Sequence, residues 1–147
     1  MIAFDTATNP LNTNEWAFPV CECFHIAAFA LSIGTIAIVD LRMLGWGMRR
    51  ETPSQLVRDT EMWTLTGLAI VILSGILIWT SDPRMYLYNR SFRFKMGALL
   101  GAILFNYTIH RKVALADAKG FTPKLVGALS LALWVSVVAG GLFIAFV

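Results

Sequence analysis

Charge is what this sequence has least of. Only 14% of its 147 residues are Asp, Glu, Lys or Arg, against roughly a quarter in a soluble domain, which excludes an ordinary water-facing surface. Cysteine is nearly absent, with Cys21 and Cys23 the only two. In Cys21-Glu22-Cys23-Phe24-His25 the spacing is not the C-x-x-C-H of covalent haem attachment. On a helix the two thiols point about 160° apart, which argues against a mutual disulfide. Soft thiolates beside an imidazole can bind copper(I) or zinc, but one of these cysteines faces away from the histidine. Glu22 and His25 also have the spacing of half a di-iron bundle site, without the second such motif. No phosphate-binding glycine loop, nucleophile elbow or zincin pattern occurs. No basic cluster is interleaved with stacking aromatics, so the net charge of +3 does not describe a nucleic-acid surface. The start of the chain lacks a basic region and carries Asp5 before any apolar run, so no cleaved leader is expected.

What the sequence has in abundance is apolar surface: 57% of it is hydrophobic, with a mean hydropathy of +0.67. The few charges gather in short connections. Between them lie apolar stretches at about 19–41, 60–80, 94–112 and 124–146, each approaching the ~20 residues that cross a bilayer as a helix. The expected fold is an all-α membrane protein, a four-transmembrane-helix bundle formed by 19–147 as one domain, after a periplasmic or interfacial tail at 1–18. The third stretch is the weakest, because its apolar run is short and ends on His110.

Local signals place the helix ends. Thr52-Pro53-Ser54-Gln55 offers an N-cap threonine, a proline in the first turn and a capping-box glutamine. Thr122-Pro123 repeats the cap-plus-proline device for the fourth helix. Gly120 is expected to stop the third helix and Ser91 to cap its start. Ser81-Asp82-Pro83 ends the second, and Met85-Tyr86-Leu87-Tyr88 is expected along the membrane interface.

Orientation follows from the basic residues. Arg42, Arg49, Arg50 and Arg58 follow the first span, and Arg111, Lys112, Lys119 and Lys124 follow the third. The opposite side holds Arg84, Arg90, Arg93 and Lys95. The positive-inside rule then puts the two richer connections in the cytoplasm and both termini outside, in a bacterial inner (cytoplasmic) membrane crossed several times. Trp16 and Trp79 fall near the outer boundary, Trp46 and Trp63 near the inner one.

Polar residues inside spans are costly and mark candidate sites. In the first span Glu22, His25, Ser32 and Asp40 are spaced by three, seven and eight residues, which places them within roughly 80° on one helical stripe. Lys95, Asn106 and His110 share another stripe, roughly 60° wide, in the third. The second and fourth spans show small-residue faces instead, with Thr64, Gly67, Ser74 and Gly75, and Gly127, Ser130 and Gly141. Such faces let backbones approach closely. His25 falls about 9 Å below the outer boundary and His110 roughly 24 Å from it. A gap of about 15 Å is too large for two axial ligands of one iron. Two polar clusters are expected instead: Glu22, His25 and Lys95 towards the outside, and Asp40, Arg42, Asn106 and His110 towards the inside.

Each of these residues also has a plain structural reading. Glu22 can simply orient His25. Asp40 and Arg42 fit a boundary pair that fixes topology. His110, next to Arg111 and Lys112, reads first as an interfacial histidine touching lipid headgroups, and Lys95 as a snorkelling lysine.

The strings Glu22-Cys23-Phe24-His25, Asp40-Leu41-Arg42-Met43-Leu44-Gly45 and Asn89-Arg90-Ser91-Phe92-Arg93-Phe94-Lys95, followed by Asn106 and His110, resemble an uncharacterised family of bacterial four-helix membrane proteins. More distantly, a histidine in the first helix with a lysine opening the third resembles the haem-binding superfamily of HemJ-type protoporphyrinogen oxidases and CopD-like copper-resistance proteins. That resemblance implies His25 and Lys95 as the critical pair. A further histidine of the HemJ pattern has its nearest equivalents in Asn106 and His110. The expectation that follows is a haem b protein in membrane electron transfer, with His25 as metal ligand and Lys95, Glu22, Asn106 and His110 around the cofactor. Phe29, Trp134 and Tyr107 would line the porphyrin. The other expectations are a non-catalytic subunit of a larger oxidoreductase or photosynthetic complex, with other subunits or a quinone as partner besides the lipid bilayer, and a copper-handling or small transport protein using Cys23 and His25. No independent catalytic activity is expected.

Overall fold

A computed structural model of the chain describes residues 6–146. Asp5, which bears on the leader, and Val147, the last residue of the predicted domain, lie outside the described residues. The elements in chain order are a single turn α1 (Pro10–Thr13), the long α2 (Ala17–Leu44) and α3 (Pro53–Ser81), the short α4 (Pro83–Tyr88), and α5 (Arg90–Phe105). A π-helical turn (Asn106–His110) then runs into α6 (Arg111–Leu115), and α7 (Phe121–Leu142) ends in a 3₁₀ turn (Phe143–Phe146). No strand occurs among the described residues.

Three of these helices, Ala17–Leu44, Pro53–Ser81 and Phe121–Phe146, are long and apolar enough to cross a membrane. The third predicted span does not stand as one such helix. Its residues form a continuous helical column from Arg90 to Leu115, about 39 Å long at 1.5 Å per residue. The π turn interrupts that column, and Arg90, Arg93 and Lys95 crowd its first part.

The ends form for identifiable reasons. At Thr52 the full capping box is made: the Thr52 side chain accepts from Gln55 N, and the Gln55 side chain accepts from Thr52 N at 2.8 Å. Gly45, at φ 88°, closes α2 in the left-handed conformation that glycine tolerates best. α3 stops at Ser81, and Asp82 caps α4 by accepting from Met85 N at 3.0 Å. Three expectations are corrected here. Asn89, not Ser91, caps α5, accepting from Phe92 N at 2.9 Å. Gly120 opens α7 as its N-cap at φ 94°, so Thr122 lies inside that helix. The preceding column ends at Leu115, five residues before the predicted stop.

The packing is inverted relative to a soluble protein. Ser32, Asp40, Asn106, His110 and Ser130 are buried, while Leu73, Leu100 and Val135 are each more than 60% exposed. Apolar side chains outside and polar ones inside suit a surface facing lipid tails. α2 lies between α3 and α7, α7 between α2 and α5, and α6 closes back on α3. α2 and the α5 column thus share one diagonal of the bundle, and α3 and α7 the other.

Close approach depends on the small faces of α3 and α7. A Cβ at Gly67 would meet Ser32 Oγ and lie 2.9 Å from the Ala28 carbonyl oxygen of α2. One at Gly127 would lie 2.9 Å from the Asp40 carbonyl oxygen. One at Gly140 would lie 3.0 Å from Lys95 Cβ. Ile36, Leu68, Ala102, Trp134 and Val137 fill the middle of the bundle. Val39, Met43, Leu56, Val57, Ala114 and Val126 fill the end nearer the α2–α3 and α6–α7 connections. At the opposite end Asn9 and Asn12 donate to the Thr80 and Ser81 carbonyls at 2.9 and 2.8 Å. Asn89 donates to the Ile144 carbonyl there at 2.9 Å. Both ends of the described chain therefore lie at the same end of the bundle.

Candidate functional site

The α2–α5 diagonal carries polar groups at two levels. At the inner level His110 Nε2 lies 2.6 Å from Asp40 Oδ1, with the side chains 4% and 0% exposed. The contact is close, but its N–H direction falls off the line of a straight hydrogen bond. Ser130 of α7 borders the same carboxylate. Asp40 faces inward because its helix runs through the bundle with Ser32, Thr35, Ile36, Val39 and Met43 on the buried side. His110 is the last residue of the π turn, which Arg111 N closes by donating to the Asn106 carbonyl, five residues back. A π turn inside an α-helix costs regular hydrogen bonding and frequently marks a functional position. Here it contains Asn106 and His110, both buried.

This level corrects two expectations. His110 is not an interfacial residue touching headgroups, because its neighbours Arg111 and Lys112 carry the exposure while its own ring is turned into the bundle. Asp40 is not paired with Arg42 at a boundary. The Arg42 Nε donates to the Glu51 carbonyl at 2.7 Å, which leaves it outside the inner cluster. Asp40, Asn106 and His110 are brought together as read.

Beside the pair lies a cleft of about 30 Å³ between α2, α3 and the π turn. His110 and Asn106 line its buried part, and Thr60, Tyr107 and the Glu61–Arg111 ion pair line its more open part. The Arg111 guanidinium donates to Glu61 Oε1 at 2.7 Å, and both side chains are about a third exposed. Asn106 Oδ1 and Tyr107 Oη are buried and have no hydrogen-bond partner among the described residues. Thr35 and Thr64 bond to each other at 2.7 Å along one wall. Thr35, Thr60 and Glu61 escaped the sequence reading; Arg111 was read only as a basic residue after the third span, and Thr64, four residues after Thr60 and three after Glu61, only as part of a small-residue face.

At the outer level His25 Nδ1 and Ser74 Oγ are 2.8 Å apart. Ser74 Oγ donates to the Ile70 carbonyl at 2.6 Å, which assigns the imidazole proton to Nδ1 and leaves Nε2 as the acceptor nitrogen. The ring stacks on Phe29, 6.3 Å away and 8° from parallel, and Lys95 Nζ stands 5.6 Å over the same phenyl ring. Gly75 gives His25 room: a Cβ there would lie 3.3 Å from its Cε1. Gly141 does the same for Lys95 Nζ, also at 3.3 Å. Glu22 is exposed and pairs with neither His25 nor Lys95 among the described residues. Cys23 is exposed and Cys21 leans towards the Ser74 carbonyl. No group of three His, Cys, Asp or Glu side chains placed to hold a metal occurs among the described residues.

The two levels are well separated. His25 and Asp40 are fifteen residues apart on one continuous helix, or about 22 Å. Of the residues expected to line a porphyrin, Phe29 touches His25, whereas Trp134 is packed into the middle of the bundle and Tyr107 belongs to the inner cleft. That cleft is an order of magnitude below the roughly 300–1,000 Å³ of ordinary ligand pockets and lies at the level of His110, not His25.

No curated protein and no solved structure matches the chain. Nothing in these comparisons links it to the HemJ and CopD superfamily. One family model does match, over residues 17–147. That span takes in α2 through α7 and both polar levels, and on it the chain belongs to the family of unknown function DUF6644.

Proposed function

We propose that this chain is a four-span inner-membrane protein that moves protons on the Asp40–His110 pair. The observation that carries the reading is a carboxylate and an imidazole in contact inside a lipid-facing bundle, 2.6 Å apart on opposite helices. Ionisable groups at such depth are expensive and belong by default to ion or proton pathways. A carboxylate and an imidazole can share one proton and exchange it without moving a side chain far. In this reading the α5 column is the fourth span, and both termini and the His25 level face the periplasm. The arginine- and lysine-rich connections face the cytoplasm, as the charge asymmetry supports.

The test is proton flux into sealed proteoliposomes under an imposed potential. The wild type is expected to conduct above protein-free vesicles, with Asp40→Asn and His110→Gln each reducing that flux on the order of tenfold or more. Flux at the protein-free level in the wild type, or undiminished in both variants, would overturn it.

A second reading rests on the outer level. With its Nδ1–H spent on Ser74, His25 presents the tautomer in which Nε2 can ligate a metal. Haem b held there by His25, with Phe29 beside it and Lys95 available to an acidic propionate, would supply electron transfer. A Soret band in protein from haem-sufficient cells, lost in His25→Ala, would support this, and a colourless preparation would end it.

A further inference from the structure

The polar groups beside the Asp40–His110 pair have a purpose that neither packing nor the pair itself explains. Asn106 is buried, lines the cleft and leaves Oδ1 without a partner, and Tyr107 leaves Oη in the same state. Leaving a buried acceptor or hydroxyl without a partner is costly, which a leucine at either position would avoid. Space answers the question. A cavity holds one water per about 10–15 Å³, so the cleft of about 30 Å³ beside them takes roughly two. Waters in that space would have Asn106, Tyr107 and His110 among its lining residues as polar partners, and a buried water needs two to four. Towards the surface the same space is lined by Thr60 and by Glu61 and Arg111, each about a third exposed.

We infer that this cleft is a water-filled proton entry, connecting Asp40–His110 to the face that carries Glu61 and Arg111. The inference rests on the proton reading of the pair and adds its route. In the uptake step one proton passes from bulk water through the bound waters to the pair, which gains one positive charge. In the release step the pair passes that proton on towards the opposite face and regains its original charge, and no other bond is made or broken. Thr60, Asn106 and Tyr107 act as positioning residues for the waters. Glu61 and Arg111 hold the mouth, each neutralising the other so that no net charge blocks it.

Water-edited solid-state NMR of the full chain in lipid vesicles, with nitrogen-labelled His, Asn and Trp, reads the cleft without relying on transport. Magnetisation from water is expected at the His110 imidazole and the Asn106 amide about as fast as at the exposed Asn12 amide. It is expected only slowly at the Trp134 indole, which is buried away from the cleft. Thr60→Leu narrows the mouth without touching Asp40 or His110. It should slow water transfer to His110 to the Trp134 level and cut proton flux on the order of tenfold, with the Trp134 signal unshifted as the check that the bundle is intact. Slow transfer to His110 in the wild type, with flux present, overturns the cleft as the route and leaves the pair its role. Fast transfer with no wild-type flux overturns the proton reading and the entry built on it. Unaltered flux in a folded, dried Thr60→Leu also overturns the entry.

Discussion

Asp40 and His110 are the residues on which the most energy turns. Each was placed on a polar stripe by its spacing alone, and the stripes do meet across the bundle. What spacing could not supply was depth at His110. A histidine followed by Arg111 and Lys112 reads as the end of a span, whereas the helix runs on to Leu115 and carries the His110 ring inside the bundle. A buried pair of this kind makes a sharp energetic prediction. Removing one partner strands the other, at about 3–5 kcal/mol, whereas replacing both with apolar residues is often nearly neutral. Denaturant titration in detergent should therefore find Asp40→Leu and His110→Leu each destabilising by about that amount, and the double variant far less destabilised than their sum. Additive losses would mean that the two side chains are not coupled in the folded protein. Glu22 teaches the opposite lesson. It shares the stripe by angle, but so near the helix start it faces outward, and angle alone does not decide burial.

Between elements, the decisive features are caps and glycines. The capping box at Thr52 was fully legible, because its residues are contiguous and satisfy one another locally. The second cap on α3 was not, since it comes from another connection. Asp117, just after α6, accepts from Ser54 N at 2.9 Å and from Ser54 Oγ at 2.7 Å, across sixty-three residues of chain. These bonds from the Ser54 side chain and backbone hold the Asp117 carboxyl below the ordinary carboxylate range. A depressed folded pKa means that the stabilisation is present above the ordinary value and is lost as pH falls through the depressed one. The melting-temperature gap between wild type and Asp117→Ala should thus be constant near neutrality and close in acid. A gap that persists in acid would contradict the assignment. Gly67 carries the contact between α3 and α2, where a methyl group would press on the Ala28 backbone. Gly67→Ala should destabilise the bundle by about 1–3 kcal/mol, with Gly97→Ala, whose Cβ meets nothing within 4 Å, as the silent control. Equal stability of the two variants in the same unfolding assay would refute the close-packing role.

For the whole molecule, the charge-poor composition and segregated charges made a helical membrane protein legible before any geometry. Three of the four predicted spans are plain in both sequence and structure. The remaining predicted span, third in chain order, is weaker: lysine, asparagine and histidine lower its apolarity, and the π turn divides it. Its length, and the end of the bundle shared by the first and last described residues, support a crossing. Reporter fusions at the two ends, active only on one side of the membrane, are expected to agree and to report the periplasm. Reporters on opposite sides would leave three crossings and would contradict the four-span reading. The claim on which the rest depends is that a proton resides and exchanges at the Asp40–His110 pair. Infrared difference spectroscopy of the protein in vesicles, stepped in pH, reads that proton directly. The account predicts a carboxyl band that responds to pH, disappears in Asp40→Asn and shifts in His110→Gln; a spectrum in which no pH-dependent carboxyl signal depends on Asp40 while the protein stays folded would contradict it.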